Sequence, residues 1–151
     1  MIEIREQIDQ DEETINHIIS AATSELRSVY HPTKTVIQNR TDNQVKLVAI
    51  INNNIVGTAG LIICENHIMV QGLAVSPVHR RQGVARAILE YATQRAQKEG
   101  KSELTLSTIK ETGNTAYFTR MGFTVISEEM SETFENIHGN PVTLVNMSKM
   151  A

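Results

Sequence analysis

The stretch VSPVHRRQGVARAIL, from Val75 to Leu89, holds the residues whose types and spacing speak most directly of chemistry. His79, Arg80 and Arg81 crowd the point where an apolar helical period begins. Cations are disfavoured there, because unpaired amides make a helix start positive. After Ser76, no Ser, Thr, Asp or Asn stands ready to cap those amides. Gly83 removes a side chain where close backbone approach would matter, and Ala85 is nearly as small. A bound anion accounts for all of this together, since it satisfies the amides, uses the dipole and pairs with the arginines. A diphosphate fits best, because it spans several amides. A plain surface also accommodates the arginines, at a cost of only about 0.3–1 kcal/mol each.

Other chemistries are absent. No Lys-Ser/Thr follows Gly83, and no G-x-G-x-x-G occurs, so the anion is not held as in nucleotide hydrolases or dehydrogenases. The 151 residues carry a net charge of −3, which argues against general nucleic-acid binding. The one cysteine, Cys64, sits in the run GLIIC and reads as a small buried hydrophobe rather than a catalytic thiol. A lone cysteine makes no internal disulfide, which points to a reducing compartment. No Cys/His spacing suits zinc, so no metal is expected. The opening MIEIREQIDQDEE has no signal pattern, and no apolar run approaches the ~20 residues of a membrane helix. These features describe a cytoplasmic protein with neither a membrane nor a nucleic-acid partner, as a monomer or a homodimer.

The elements that must position the stretch follow from periodicity. MIEIREQI alternates as a strand, and DQDEETINHIISAATSEL is helical with acids at its favoured end. Arg27 to Thr41 reads as a second short helix or a loop. NQVKLVAII, IVGTAGLIIC and IMVQGLAVS are three strands joined by the turns NNN and ENH, an antiparallel meander. A helix runs from about Gln82 to Glu99, SELTLST is a strand, and GNTAYFTRM a short helix. GFTVISEE and PVTLVNMSK close the chain as strands joined by a polar loop, Met130 to Asn140. The order predicts one α/β (α+β) domain over residues 1–151: a mixed, twisted central sheet of about seven strands with helices on both faces.

The segment LAVSPVHRRQGVARAILEYA closely resembles the central motif of the GNAT-superfamily acyl-CoA N-acyltransferases, R/Q-x-x-G-x-G/A, matched by Arg80 to Ala85. NTAYFTRMGF resembles the family's second motif. The resemblance implies acetyl-CoA as cosubstrate, with its pyrophosphate on the amides of Arg81, Gln82, Gly83, Val84 and Ala85 and with Arg80 in support. It implies that the preceding strand splays from its neighbour, so that the pantetheine arm pairs with Leu73, Ala74 and Val75. The Leu73 amide then faces the acetyl carbonyl oxygen. Gly72 suits the bulge that opens the gap, or is a packing glycine. Asn114 meets the cofactor arm or simply starts a helix. The implied activity is N-acetyl transfer by direct attack of a primary amine on a small molecule. A protein N-terminus or lysine as acceptor, and a CoA-sensing module without turnover, remain as alternatives.

The sequence departs from the family at its proton-handling positions. Where many relatives carry the acid Tyr, this chain has Phe118, which would wall the thioester pocket. Tyr117 is one residue early, turned by about 100° on a helix. It reads as core packing against Met121, or as the acid. The position of a common base is Met69. Glu65 and His67 are turn residues or the base, and Tyr30 and His31 are candidates to face the acceptor.

Overall fold

Leu47–Ile50 and Val56–Leu61 are buried at every residue, and they lie side by side at the centre of the molecule. A computed structural model describes residues 1–33 and 44–151. Its elements are β1 (Glu3–Glu6), α1 (Glu12–Leu26), β2 (His31–Pro32), β3 (Gln44–Ile51), β4 (Asn54–Ile63), β5 (His67–Val75), α2 (Val84–Lys98), β6 (Glu103–Ile109), α3 (Asn114–Arg120), β7 (Thr124–Glu135) and β8 (Pro141–Met150). The sheet order is β1-β3-β4-β5-β6-β8-β7-β2. Every pair is antiparallel except β5–β6, which is parallel and joined by α2 as its crossover.

The mixed sheet agrees with the order read from sequence. Among the described residues it has eight strands rather than about seven. The extra one, β2, is two residues long and pairs with Phe134 and Glu135. It lies where a helix or loop is expected, and residues 34–41 of that region lie outside the described residues. β7 runs through Met130 to Glu135, so only Asn136 to Asn140 form the expected loop. The β3–β4 turn follows its residues directly: Asn52 (φ 50°) and Asn53 (φ 67°) both take the left-handed conformation that a tight two-residue hairpin needs.

Alternation along β3 decides which helix covers which face. Leu47 and Ala49 join Val84, Ile88, Leu89, Ala92 and Ala96 of α2 in the main core, with Phe123 and Met147. Val48 and Ile50 point the other way, against Ile15 of α1. The two helices therefore clad opposite faces. Each fully buried aliphatic side chain stabilises this arrangement by about 1.5–3 kcal/mol.

β1 is clipped to α1 by charge. Arg5 donates to both oxygens of Asp11, at 2.7 and 3.2 Å. The Ile8 amide donates to Asp11 Oδ2 at 2.9 Å. The Arg5 guanidinium, opposed by desolvation and helped by that amide, holds the Asp11 carboxyl below its ordinary range.

Candidate active site

β5 changes character along its length. From His67 to Met69 it pairs with Glu103 to Thr105 of β6, and the pairing stops there. On its other side, Gln71 opposes Gly60 and Ala74 opposes Thr58, so β5 spends one extra residue at Gly72–Leu73. Gly72 has φ 60°, which suits a residue without Cβ. Past Met69 the ladder between β5 and β6 has a gap, called the slot below, with the bulge and Leu73, Ala74 and Val75 on its β5 side.

The slot ends at a turn that stays open. A short 3-10 turn, Pro77–His79, follows β5, and α2 begins at Val84 with Gly83 as its N-cap, φ 82°. The helix thus starts after the glycine rather than at Gln82. No side chain caps it, so the amides of Val84, Ala85 and Arg86 lack intrahelical acceptors. Arg81 also takes a left-handed φ, 64°, although it carries a Cβ. That conformation costs about 1–2 kcal/mol. Alternating left-handed residues in such a turn form an amide concavity suited to anions. Arg80, Arg81, Gln82 and Gly83 are all exposed. A Cβ added at Gly83 meets nothing within 4 Å, so the space over the turn is free for a phosphate group.

Packing fixes where the helix start lies. A Cβ at Gly57 would stand 2.9 Å from Val84 Cγ1 and 3.2 Å from the Ala74 carbonyl oxygen. Glycine there lets the first turn of α2 sit directly on β4 and β5. The only carboxylate bonded near the turn is that of Glu25, among the described residues. Glu25 accepts from Arg80 at 2.6 Å, an exposed ion pair between the end of α1 and the turn. It bonds no amide of the turn.

The remaining sequence candidates are spread out. Phe118 of α3 is half-buried against the core and meets Phe123 edge-on at 6.1 Å. Tyr117 is 41% exposed and meets the Phe118 ring edge-on at 5.5 Å, so the residue expected as core packing lies at the surface. α3 is a single short helix, Asn114–Arg120, with no fully buried residue; Thr115 and Phe118 are half-buried and the others are exposed. Asn114 is exposed at its start. Glu65 and His67 stand at the paired end of β5, and His67 is five residues, roughly 17 Å of strand, from Gly72. Met69 lies at the last paired position. Tyr30 packs edge-on against Phe134 at 5.2 Å, and burial pushes its phenol up. His31 lies on β2, with Nδ1 3.8 Å from Glu135 Oε1. Both are carried by the β2–β7 edge rather than by the slot.

One polar row escapes sequence reasoning. Ser107 of β6 donates to Asn146 Oδ1 of β8 at 2.6 Å. Asn146 Nδ2 donates to Ser127 Oγ of β7 at 3.0 Å and to Glu129 Oε1 at 3.4 Å. Among the described residues, no three His, Cys, Asp or Glu side chains gather as a metal site. No described helix is long and apolar enough to cross a membrane.

The sequence model of the acetyltransferase (GNAT) family matches residues 12–123. The chain belongs to the GNAT family of acetyltransferases. No curated protein matches it by sequence. Solved structures of similar fold include the ribosomal-protein-S18-alanine N-acetyltransferase of Escherichia coli, 18% identical, with TM-score 0.75 over 99% of this chain and 94% of that one. Nourseothricin acetyltransferase is 18% identical, with TM-score 0.75 over 99% and 98% of the two chains. The protein yncA of Salmonella typhimurium, solved with its cofactor acetyl-CoA, is 18% identical, with TM-score 0.74 over 99% and 94%. At such identities these likenesses are of fold. The GNAT match reaches from the start of α1 through the turn and α3 to Phe123, and so contains both motifs.

Proposed function

We propose that this chain, as one domain over residues 1–151, moves an acetyl group from acetyl-CoA to a primary amine on a small molecule by direct attack. The observation that carries the proposal is the slot between β5 and β6, running into an exposed turn of uncapped amides. The amides of Arg81, Gln82, Gly83, Val84 and Ala85 hold the pyrophosphate, and the Arg80 guanidinium adds charge from the side. Leu73, Ala74 and Val75 offer backbone to the pantetheine arm, and Asn114 and Phe118 border it. When bound, the cosubstrate supplies an activated thioester.

The Leu73 amide, at the bulge, donates to the acetyl oxygen as negative charge gathers there. Thiols ionise near pH 8.5, so the sulfur leaves without obligatory help from an acid. That suits a chain with Phe118 at the position where a relative's tyrosine stands. Positioning supplies most of the remaining acceleration. No metal is required, and the lone Cys64 accords with a reducing, cytoplasmic setting.

The test is thiol release from acetyl-CoA over a panel of putrescine, spermidine, free lysine and an alanine-terminated peptide. Release with a small amine supports the proposal. Release with the peptide alone moves the acceptor to protein. Calorimetric binding of acetyl-CoA with no release on any amine leaves a sensing module, and absence of both binding and release overturns the site.

A further inference from the structure

The geometry points to Ser107 as the residue that holds the attacking amine, with Asn146 and Glu129 as the positioning residues that set its polarity. The inference rests on the transferase proposal and names the acceptor side of the same slot.

The register places Ser107 first. Met69 and Thr105 are the last residues paired between β5 and β6. Two residues further along each strand, on the same face, come Gln71 and Ser107. Gln71 is the residue immediately before the bulge, and Leu73 follows within two. Ser107 therefore stands across the slot from the segment whose Leu73 amide faces the acetyl oxygen. It is exposed, on an edge that β5 no longer covers. The other wall of the row continues through directly paired residues, Ser107 with Asn146 and Asn146 with Ser127.

Hydrogen-bond polarity then runs one way along the row. A carboxylate only accepts. Glu129 Oε1 lies 3.4 Å from the Asn146 amide, so the Nδ2 group turns to it and to Ser127 Oγ at 3.0 Å. That leaves Oδ1 toward Ser107, whose hydroxyl donates its single proton there at 2.6 Å. With that proton committed, Ser107 Oγ offers lone pairs to the slot and nothing else. Its partner must bring a hydrogen. A neutral primary amine brings N–H bonds and keeps its own lone pair for the thioester carbon. An anionic group meets only acceptors and the Glu129 charge.

The step balances without a base in the row. The C–N bond forms and the C–S bond breaks. Sulfur leaves with the electron pair, and the surplus N–H proton passes to water at the open mouth of the slot. The Ser107 proton stays bonded toward Asn146, whose amide takes up none.

The experiment uses the full chain, acetyl-CoA and whichever of putrescine, spermidine, lysine or the alanine-terminated peptide gives the fastest thiol release. Ser107→Ala is expected to raise the KM for that amine about 3- to 10-fold, the size of one neutral hydrogen bond, with little change in kcat. The Kd for acetyl-CoA, which also reports a folded protein, should not move. Ser107→Thr, which keeps the hydroxyl, should restore KM. Asn146→Ala should cost a similar factor, and the double variant should cost no more than either alone. Glu129→Ala, which removes the acceptor that turns the Asn146 amide, should raise the same KM by a smaller factor, again with the acetyl-CoA Kd unmoved. An unchanged amine KM in Ser107→Ala, or full additivity in the double variant, overturns the inference while leaving the transferase intact. A parent enzyme silent on every amine overturns the transferase proposal itself, and this inference with it.

Discussion

The two halves of the sheet meet through three residue pairs between β5 and β6, and they are built on different plans. In β3 and β4 the central residues are buried on both faces, under α2 on one side and α1 on the other. In β6 and β8 only one face is apolar: Leu104, Leu106, Val145 and Met147 are buried, and Ser107 and Asn146 look the other way. β7 is more open still, with Ser131 its one buried residue. A strand clad on both faces has little freedom to change sequence, and it makes a stiff holder. A strand clad on one face can vary its polar residues at small cost in stability. The turn proposed to hold the cofactor grows from the first half, and the polar row belongs to the second.

The comparison breaks most sharply at the turn. Gly83→Glu sets a carboxylate against the phosphate, and like charges in contact cost several kcal/mol. Acetyl-CoA affinity should fall by roughly 100-fold or more at 1.4 kcal/mol per decade, read by calorimetry, with an unchanged far-UV spectrum. Normal binding would move the pyrophosphate elsewhere.

Gly57→Ala strains the stiff half itself. Its Cβ would press on Val84 Cγ1 at 2.9 Å, and overpacking of this kind costs about 1–3 kcal/mol. Urea unfolding should show that loss, and acetyl-CoA binding should weaken with it as the helix start shifts. A substitution on the second half, Ser127→Ala at an exposed residue, should leave urea stability within about 0.5 kcal/mol.

Acid should act on the first half through Asp11. Its folded-state pKa is lowered, so its contribution is complete above the ordinary carboxylate value of about 4 and fades as pH falls through the lower folded value. Asp11→Asn should destabilise at neutral pH and narrow its gap from the parent below about pH 4, by thermal melting across that range. A gap constant with pH would remove the charge from the explanation.

The smallest effects belong to exposed groups. Arg80→Ala loses an exposed ion pair with Glu25 and part of the phosphate's field, so acetyl-CoA affinity should drop only a few-fold, and less in high salt. Tyr117→Phe should change kcat less than about threefold, against the roughly 100-fold or more that an essential general acid supplies.

What was readable in the sequence follows the same division. The turn announces itself because backbone geometry demands particular residues: Gly83 for a left-handed cap, Asn52 and Asn53 for the hairpin, apolar spacing for α2. The bulge at Gly72 could be expected for the same reason, although only the register gives it its two neighbours. The length of β7 is hidden because a strand exposed along nearly all its residues shows no apolar alternation, so Met130 to Glu135 reads as loop. Helical spacing links Tyr117 to Met121 by period but does not give the side that faces inward, and Tyr117 lies 41% exposed. The Ser107–Asn146 bond joins residues 39 apart in the chain, and no local pattern encodes a pairing of that range.

Three rungs of ladder form a narrow spine, and a narrow spine tolerates exchange of what hangs from it. On the proposed reading, new side chains on one leaf would retune which molecules are accepted, while the opposite leaf would keep its hold on the same carrier. Descent could thus diversify this scaffold by rewriting one margin, with no need to rebuild the clasp.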